Sequence, residues 1–373
     1  MGEGLREEMR EAANDITARW AEQIRRARAQ RLQVDIRGGN TKAFYGGPQQ
    51  GLMLDTTVLR GISSYEPTEL VVTARAGTPL AELEAALTEK GQCLPFEPPR
   101  FGDASTVGGM VAAGLSGPAR ATAGSVRDYV LGATLLNGRA ERLSFGGTVM
   151  KNVAGYDVSR VLAGSLGTLG VICEVSLKVL PVAQSTLTLR LEAEQADAIR
   201  RLNEWGGQPL PLNASAWWDG MLVLRLAGAT AAVSAAARAL GGETVEAALA
   251  STFWNGLRDH HDEFFVGAAK AVEAGASLWR LSVPATAPPL KLSGEQLLEW
   301  GGAQRWICTS APAAVLRDVA QAAGGHAVLF RSAEKSAQVF APLAPPLARI
   351  QRDLQRAFDP DGVFNPGRLG APA

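Results

Sequence analysis

Between Pro95 and Gly124 the chain nearly gives up large side chains and runs through Gly, Ala, Ser and Pro. A stretch so poor in bulk cannot make a core of its own and must lay its backbone close against something else. Two more glycine-rich segments flank it, Arg37-Gly38-Gly39-Asn40-Thr41 and the ladder Gly164, Gly167 and Gly170. The first follows a short strand predicted over Leu32–Arg37 and contains residue types that accept left-handed geometry, so it reads as a tight loop with exposed backbone N–H groups. Such groups converging in a bare turn suit a phosphate. No GxGxxG follows a strand and no GxxxxGK[ST] occurs, so neither the Rossmann fingerprint nor the P-loop is present.

The spacing of apolar residues organises the rest as an α+β chain. Ile16, Trp20 and Ile24 recur every four residues and predict an amphipathic helix over Asn14–Arg31. Glu69–Ala74 reads as a strand, Thr78-Pro79 as a capped helix start, and Leu80, Leu83 and Leu87 as that helix's buried stripe, stopped by Gly91. Strands over Tyr129–Leu136 and Glu141–Phe145 are joined by Asn137-Gly138, a hairpin signal, and a strand over Val171–Leu180 follows the glycine ladder. After Pro181 strands such as Thr186–Leu191 and Met221–Leu226 alternate with Ala-rich helices near Ala231–Leu240 and Leu316–Ala323, the texture of a separate lid. We expect one domain over residues 1–181, a cap over 182–343, and a C-terminal helix and tail over 344–373 that return to the first domain.

Composition narrows the functional classes. With 373 residues, 46% hydrophobic and 20% charged, the chain can bury a large core in two domains or more. Lys+Arg and Asp+Glu are each 37, leaving no basic field for a nucleic-acid backbone. Cys93, Cys173 and Cys308 are scattered, with no CxxC pair, which removes support for disulfides, zinc or an iron–sulfur cluster. The segment from Met1 to Arg31 has no uninterrupted apolar run, so no secretory signal or transmembrane span is expected there. The expected location is cytoplasmic, with peripheral attachment at the inner membrane through partners left open.

Taken in order, the glycine segments resemble the FAD-binding domain of the vanillyl-alcohol oxidase and p-cresol methylhydroxylase (PCMH-type) flavoprotein family. The resemblance rests on the loop Arg37-Gly38-Gly39-Asn40-Thr41, on Ser105-Thr106-Val107-Gly108-Gly109 running on through Ala112, Ala113, Gly114 and Gly117, and on Gly124-Ser125-Val126-Arg127-Asp128 leading to Gly132. It continues through Lys151-Asn152-Val153-Ala154-Gly155-Tyr156-Asp157, the run Gly164–Ile172 with Val171, and the tail Phe358–Leu369 with Asn365. The fold it implies is a two-subdomain FAD-binding domain with a smaller α+β cap. The cofactor contacts it implies are Arg37, Gly38, Gly39, Asn40, Thr41, Ser105, Thr106, Gly108, Gly109, Ala112, Gly114, Ser125, Asp128, Gly164, Gly167, Gly170, Val171 and Asn365. Within the family the likeness is to flavin subunits of glycolate-oxidising complexes, which implies a D-type flavin subunit, an F-type iron–sulfur subunit and a small 2-hydroxy acid substrate.

Some relatives hold FAD covalently through His or Cys, but His260, His261 and His326 lie far from the matched segments and no Cys lies near Arg37, so the expected FAD is non-covalent. The family's D-2-hydroxy-acid dehydrogenases carry two His and a carboxylate for a metal in the cap; here only Gly324-Gly325-His326 is similar, and no metal is expected. Arg280 and Arg305 have the guanidinium fork that suits a carboxylate, and with His326 they are the catalytic candidates, each also readable as a packing or ion-pair residue. Three readings follow: a flavin subunit whose partner oxidises glycolate, a self-sufficient hydroxy-acid dehydrogenase, and a flavin-free structural subunit.

Overall fold

Val171–Lys178 is apolar on both faces, and a strand of that kind belongs at the centre of a sheet. The computed structural model, which describes residues 3–147, 157–334 and 338–370, puts it in the middle of five antiparallel strands. Their order is Ile62–Glu66, Val71–Arg75, Val171–Lys178, Val130–Leu136 and Arg142–Gly146. Helix Leu80–Thr88 buries Leu80, Leu83 and Leu87 against this sheet, as its spacing predicts. Its expected hydroxyl cap is used elsewhere: Thr78 Oγ1 pairs with the backbone of Gly61, and Pro79 takes the cap position. The hairpin after Leu136 is also longer than a two-residue Asn-Gly turn. Asn137 Oδ1 accepts from the N–H groups of Arg139 and Glu141, and the return strand starts at Arg142.

The N-terminal helix is longer than its pattern, Glu3–Gln30. It is anchored through Trp20, Ile24 and Ala27 packed with Val34, Leu54, Val171 and Phe364, with Ala13 and Ile16 against the same cluster. It leads into a two-stranded parallel pair, Val34–Arg37 with Leu52–Asp55. The C-terminal tail lies beside that pair, Phe364 bridging Val34, so the tail reaches the strand that leads into the Arg37 loop. Helix Pro345–Phe358 delivers the tail and adds Phe358 to the core of the five-stranded sheet.

The second sheet has eight antiparallel strands, ordered Glu243–Val245, Ser185–Glu192, Met221–Gly228, Leu212–Trp218, Glu295–Glu299, Gln304–Thr309, Ser277–Ser282 and His326–Ser332. Alternation divides its side chains. Leu222, Leu224, Leu226, Trp279, Leu281 and Leu329 pack under helices Gln195–Gly206, Thr230–Leu240 and Ala313–Ala322. Ala214, Ala216, Leu278, Trp306, Val328 and Phe330 face the other way, in one cluster with Tyr45, Ala113, Leu115 and Leu166 of the first sheet's domain. The eight-stranded sheet therefore shares a core with segments of the chain's first half. Arg225 bridges Glu97 across the boundary at 2.6 Å with its guanidinium over the Trp254 ring.

Candidate cofactor cleft

The parallel strand pair, the tail and the small-residue helix Val107–Ala113 surround a cleft of about 770 Å³, the space at its open mouth included. Of the predicted contacts, Arg37, Gly38, Gly39, Asn40, Thr41, Thr106, Gly108, Gly109, Ala112, Gly167, Gly170 and Asn365 line it. The backbone N–H groups of Gly38, Gly39, Asn40 and Thr41 donate to no acceptor among the described residues. Four consecutive donors left open in a folded chain call for an anionic or polar partner.

Six predicted contacts stand elsewhere. Ser105 is buried behind the loop and its Oγ accepts from Lys42 Nζ at 2.9 Å. Gly114 ends the small-residue helix at φ 66° and lies against Gly164. Ser125 and Asp128 form a reciprocal cap on the four-residue helix Val126–Tyr129, with the hydroxyl and N–H of Ser125 both on Asp128 Oδ2. Val171 is buried with Trp20 and Ile24. The run Lys151–Tyr156 lies outside the described residues.

The glycines have a different reason from the one their composition suggests. A Cβ on Gly108 would meet Ala76, and one on Gly117 would meet the backbone of Glu97. Their bareness lets two chain segments touch, and the cleft wall follows from that approach. Thr106 likewise spends its hydroxyl on capping, accepting from Gly109 N.

Sequence reasoning missed Lys42, Gln49, Thr56, Leu166 and Arg368, which also line the cleft. Arg368 is fastened by its guanidinium to the carbonyls of Tyr45 at 2.6 Å and Gly47 at 2.5 Å. Asn365 ties the walls together: Oδ1 accepts from Ile36 N at 2.7 Å and Nδ2 donates to Leu166 O at 2.6 Å.

The catalytic candidates do not converge. Arg305 is buried and donates to the carbonyls of Gly302, Pro288 and Ala287, so its fork is satisfied by its own chain. His326 begins the sheet's edge strand, its side chain on an exposed residue. Arg280 reaches the domain boundary, donating to Tyr45 Oη at 3.1 Å between the Tyr45 and Phe330 rings. Beside it is a smaller cavity of about 300 Å³, which His260, Glu299, Gln304 and Trp306 also line. His260 stacks on Phe265 at 3.5 Å, and burial beside Arg331 and Arg280 holds it well below the usual imidazole range. Among the described residues no three His, Cys, Asp or Glu side chains come together to hold a metal.

Burial pushes Glu299 up to about 7 although it accepts from Trp306 Nε1 and Gln304 Nε2. A carboxyl raised by folding favours the folded state most when protonated, and that contribution fades as pH rises from the unfolded value through about 7. Between pH 5 and pH 8 the native chain should therefore lose about 2–3 kcal/mol relative to Glu299→Gln. Urea midpoints of both proteins at the two pH values check this, and parallel pH profiles would refute it.

The family of FAD binding domains matches residues 17–146. The chain is 46% identical over 357 residues to the glycolate oxidase subunit GlcE of Escherichia coli (strain K12), spanning 96% of this chain and 98% of that one. It is 30% identical over 170 residues to the glycolate oxidase subunit GlcD of Bacillus subtilis (strain 168), spanning 45% of this chain and 36% of that one. The structure superposes on alkyldihydroxyacetonephosphate synthase with a TM-score of 0.65 at 13% identity, covering 93% of this chain and 74% of the other, which bears out the fold. Fold, cleft and matched domain define an FAD-binding flavoprotein of the oxidoreductase class. The chain belongs to the GlcE family of glycolate oxidase subunits.

Proposed function

We propose that this chain is the FAD-holding E-type subunit of a glycolate oxidase complex and takes part in oxidising glycolate, a CH–OH substrate, to glyoxylate. In this reading the hydroxy acid is oxidised on a D-type flavin subunit, and this chain exchanges electrons with that subunit and an F-type iron–sulfur subunit. The observation that carries it is the identity to the E. coli subunit along nearly the whole of both chains. The scattered cap candidates support the division of labour: Arg305 is consumed by carbonyls and His326 has no second His beside it.

FAD supplies an acceptor for a hydride or for single electrons when bound. The residues assigned to hold it are the unpaired N–H groups of Gly38 to Thr41 toward the diphosphate, with Gly108, Gly109, Ala112, Gly167, Gly170 and Asn365 as walls. Among the described residues no His or Cys lines the cleft, which supports dissociable binding. The domain division that goes with this assignment is 1–181, 182–343 and 344–373. The described helices include none long and apolar enough to cross a membrane; a cytoplasmic site, with any membrane attachment through partners, is part of the proposal.

A second reading, a self-sufficient hydroxy-acid dehydrogenase, draws on the domain-boundary cavity, where Arg280 Nε and His260 Nδ1 are buried without hydrogen-bond partners. An anaerobic absorbance spectrum of the purified chain before and after glycolate separates the two. A flavin band that glycolate leaves intact until the D-type subunit is added is expected. Bleaching by glycolate alone would establish the second reading, and a colourless chain that takes up no FAD would leave only a structural role.

A further inference from the structure

The four open N–H groups of the Gly38–Thr41 loop are neutral dipoles, whereas the diphosphate of FAD carries two negative charges. The cleft has three cationic side chains among the described residues, and two are already committed. Arg37 is ion-paired to buried Asp35 at 2.5 Å, and Arg368 is held by backbone carbonyls. The third, Lys42, directly follows the loop and has no carboxylate within ion-pair distance among the described residues. Its ammonium rests on Ser105 Oγ at 2.9 Å, the Arg100 carbonyl at 3.2 Å and, more loosely, Thr41 Oγ1 at 3.4 Å. The Thr41 hydroxyl and this ammonium, both on the cleft wall beside a row of open N–H groups, form a donor set matched to phosphate oxygens.

We propose that Lys42 is the cation that neutralises the FAD diphosphate, and that its seat makes FAD binding take up a proton above neutral pH. This rests on FAD being the cofactor and not on the electron route.

The surroundings account for the proton. Burial lowers Lys42 to about 8, and only the more distant Asp259 pulls the other way. Asp259 is itself engaged, Oδ2 with Arg258 and Oδ1 with Arg100 N. The remaining charged or titratable neighbours offer no compensation: Arg331 lies over the Phe44 and Phe101 rings, and His260 meets the edge of Phe101. Without an anion the lysine sheds its proton as pH passes about 8. A bound diphosphate restores the charged form, so affinity must fall as pH rises through that value, approaching tenfold per pH unit.

The test titrates FAD into the full-length chain stripped of flavin, from pH 6 to 9.5, with ADP as a competing diphosphate. Lys42→Gln should weaken FAD and ADP by the same factor, roughly 10- to 100-fold at pH 7, and remove the bend near pH 8. Lys42→Arg should recover much of the affinity and show no bend, and it carries the pH test if the Gln variant folds poorly. The flavin-free Lys42→Met chain should melt no lower than the native one at pH 7, because a desolvated cation has been removed. A Gln variant that weakens FAD but not ADP, or keeps the bend, would overturn the assignment, as would ADP failing to compete. So would a Met variant that melts clearly lower, the mark of a lysine that only staples Ser105 to the Arg100 carbonyl.

Discussion

Gly39→Ala should purify as a colourless protein that binds added FAD at least a hundredfold more weakly than the native chain, about 2.7 kcal/mol of binding energy. A Cβ at this position would lie 1.4 Å from the Ala104 carbonyl oxygen and 2.3 Å from its carbon. Both are backbone atoms, and no rotamer change can relieve the overlap. The loop would have to lift away from Ala104, and the N–H groups of Gly39 and Asn40 would turn from the cleft with it. Folding should survive, because relieving an overpacked contact typically costs about 1–3 kcal/mol and the loop lies outside both sheets. Gly206→Ala is the control: its Cβ would meet nothing within 4 Å, at the end of a helix where alanine is favoured. The flavin band, an FAD titration and a melting curve on both variants are sufficient. Native flavin content in Gly39→Ala would show that the loop does not hold the cofactor.

The sequence made the cleft legible to the extent that the requirement was local. A pair of glycines after a short strand announces an unusual backbone wherever the rest of the chain goes, and the Gly38–Gly39 loop lies where that reasoning puts it. Gly108, Gly114 and Gly117 could be flagged but not explained, because Ala76, Gly164 and Glu97 reach them only through the tertiary fold. The roles of Ser125 and Asp128 were readable in principle: Ser-Val-Arg-Asp has the spacing of a capping box, and the cap is what forms. Lys42 could not be read in this way, since a lysine after a turn is usually solvated and burial is invisible to local pattern. Arg305 shows the same limit. Nothing around Arg305-Trp306 signals that the Pro288 and Ala287 carbonyls, 17 and 18 residues earlier, will join that of nearby Gly302 on the guanidinium.

Asn365→Ala is expected to destabilise the chain by about 3–5 kcal/mol and to release most of its FAD. The side chain hydrogen-bonds the strand entering the Arg37 loop to the turn carrying the glycine ladder: Ile36 N donates to it, and it donates to Leu166 O. Truncation leaves that N–H and that carbonyl unpaired beside a residue only 5% exposed, at about 1–3 kcal/mol each. Backbone geometry adds to the loss, because Asn365 sits at φ 41°, which asparagine tolerates better than alanine. Asn365→Asp is informative because it keeps the acceptor for Ile36 but turns a carboxylate oxygen toward the Leu166 carbonyl. It should therefore recover less than half of the loss. The Gly167 contact works in the same direction, since a Cβ there would lie 2.5 Å from Asn365 Nδ2 and push the tail outward. Urea denaturation with and without saturating FAD separates the two effects. A cofactor that binds only the folded chain raises its stability by an amount set by affinity, so the FAD-induced gain should shrink in the variant along with the intrinsic stability. A loss below about 1 kcal/mol with an undiminished FAD-induced gain would mean that the tail is not part of the cleft's frame.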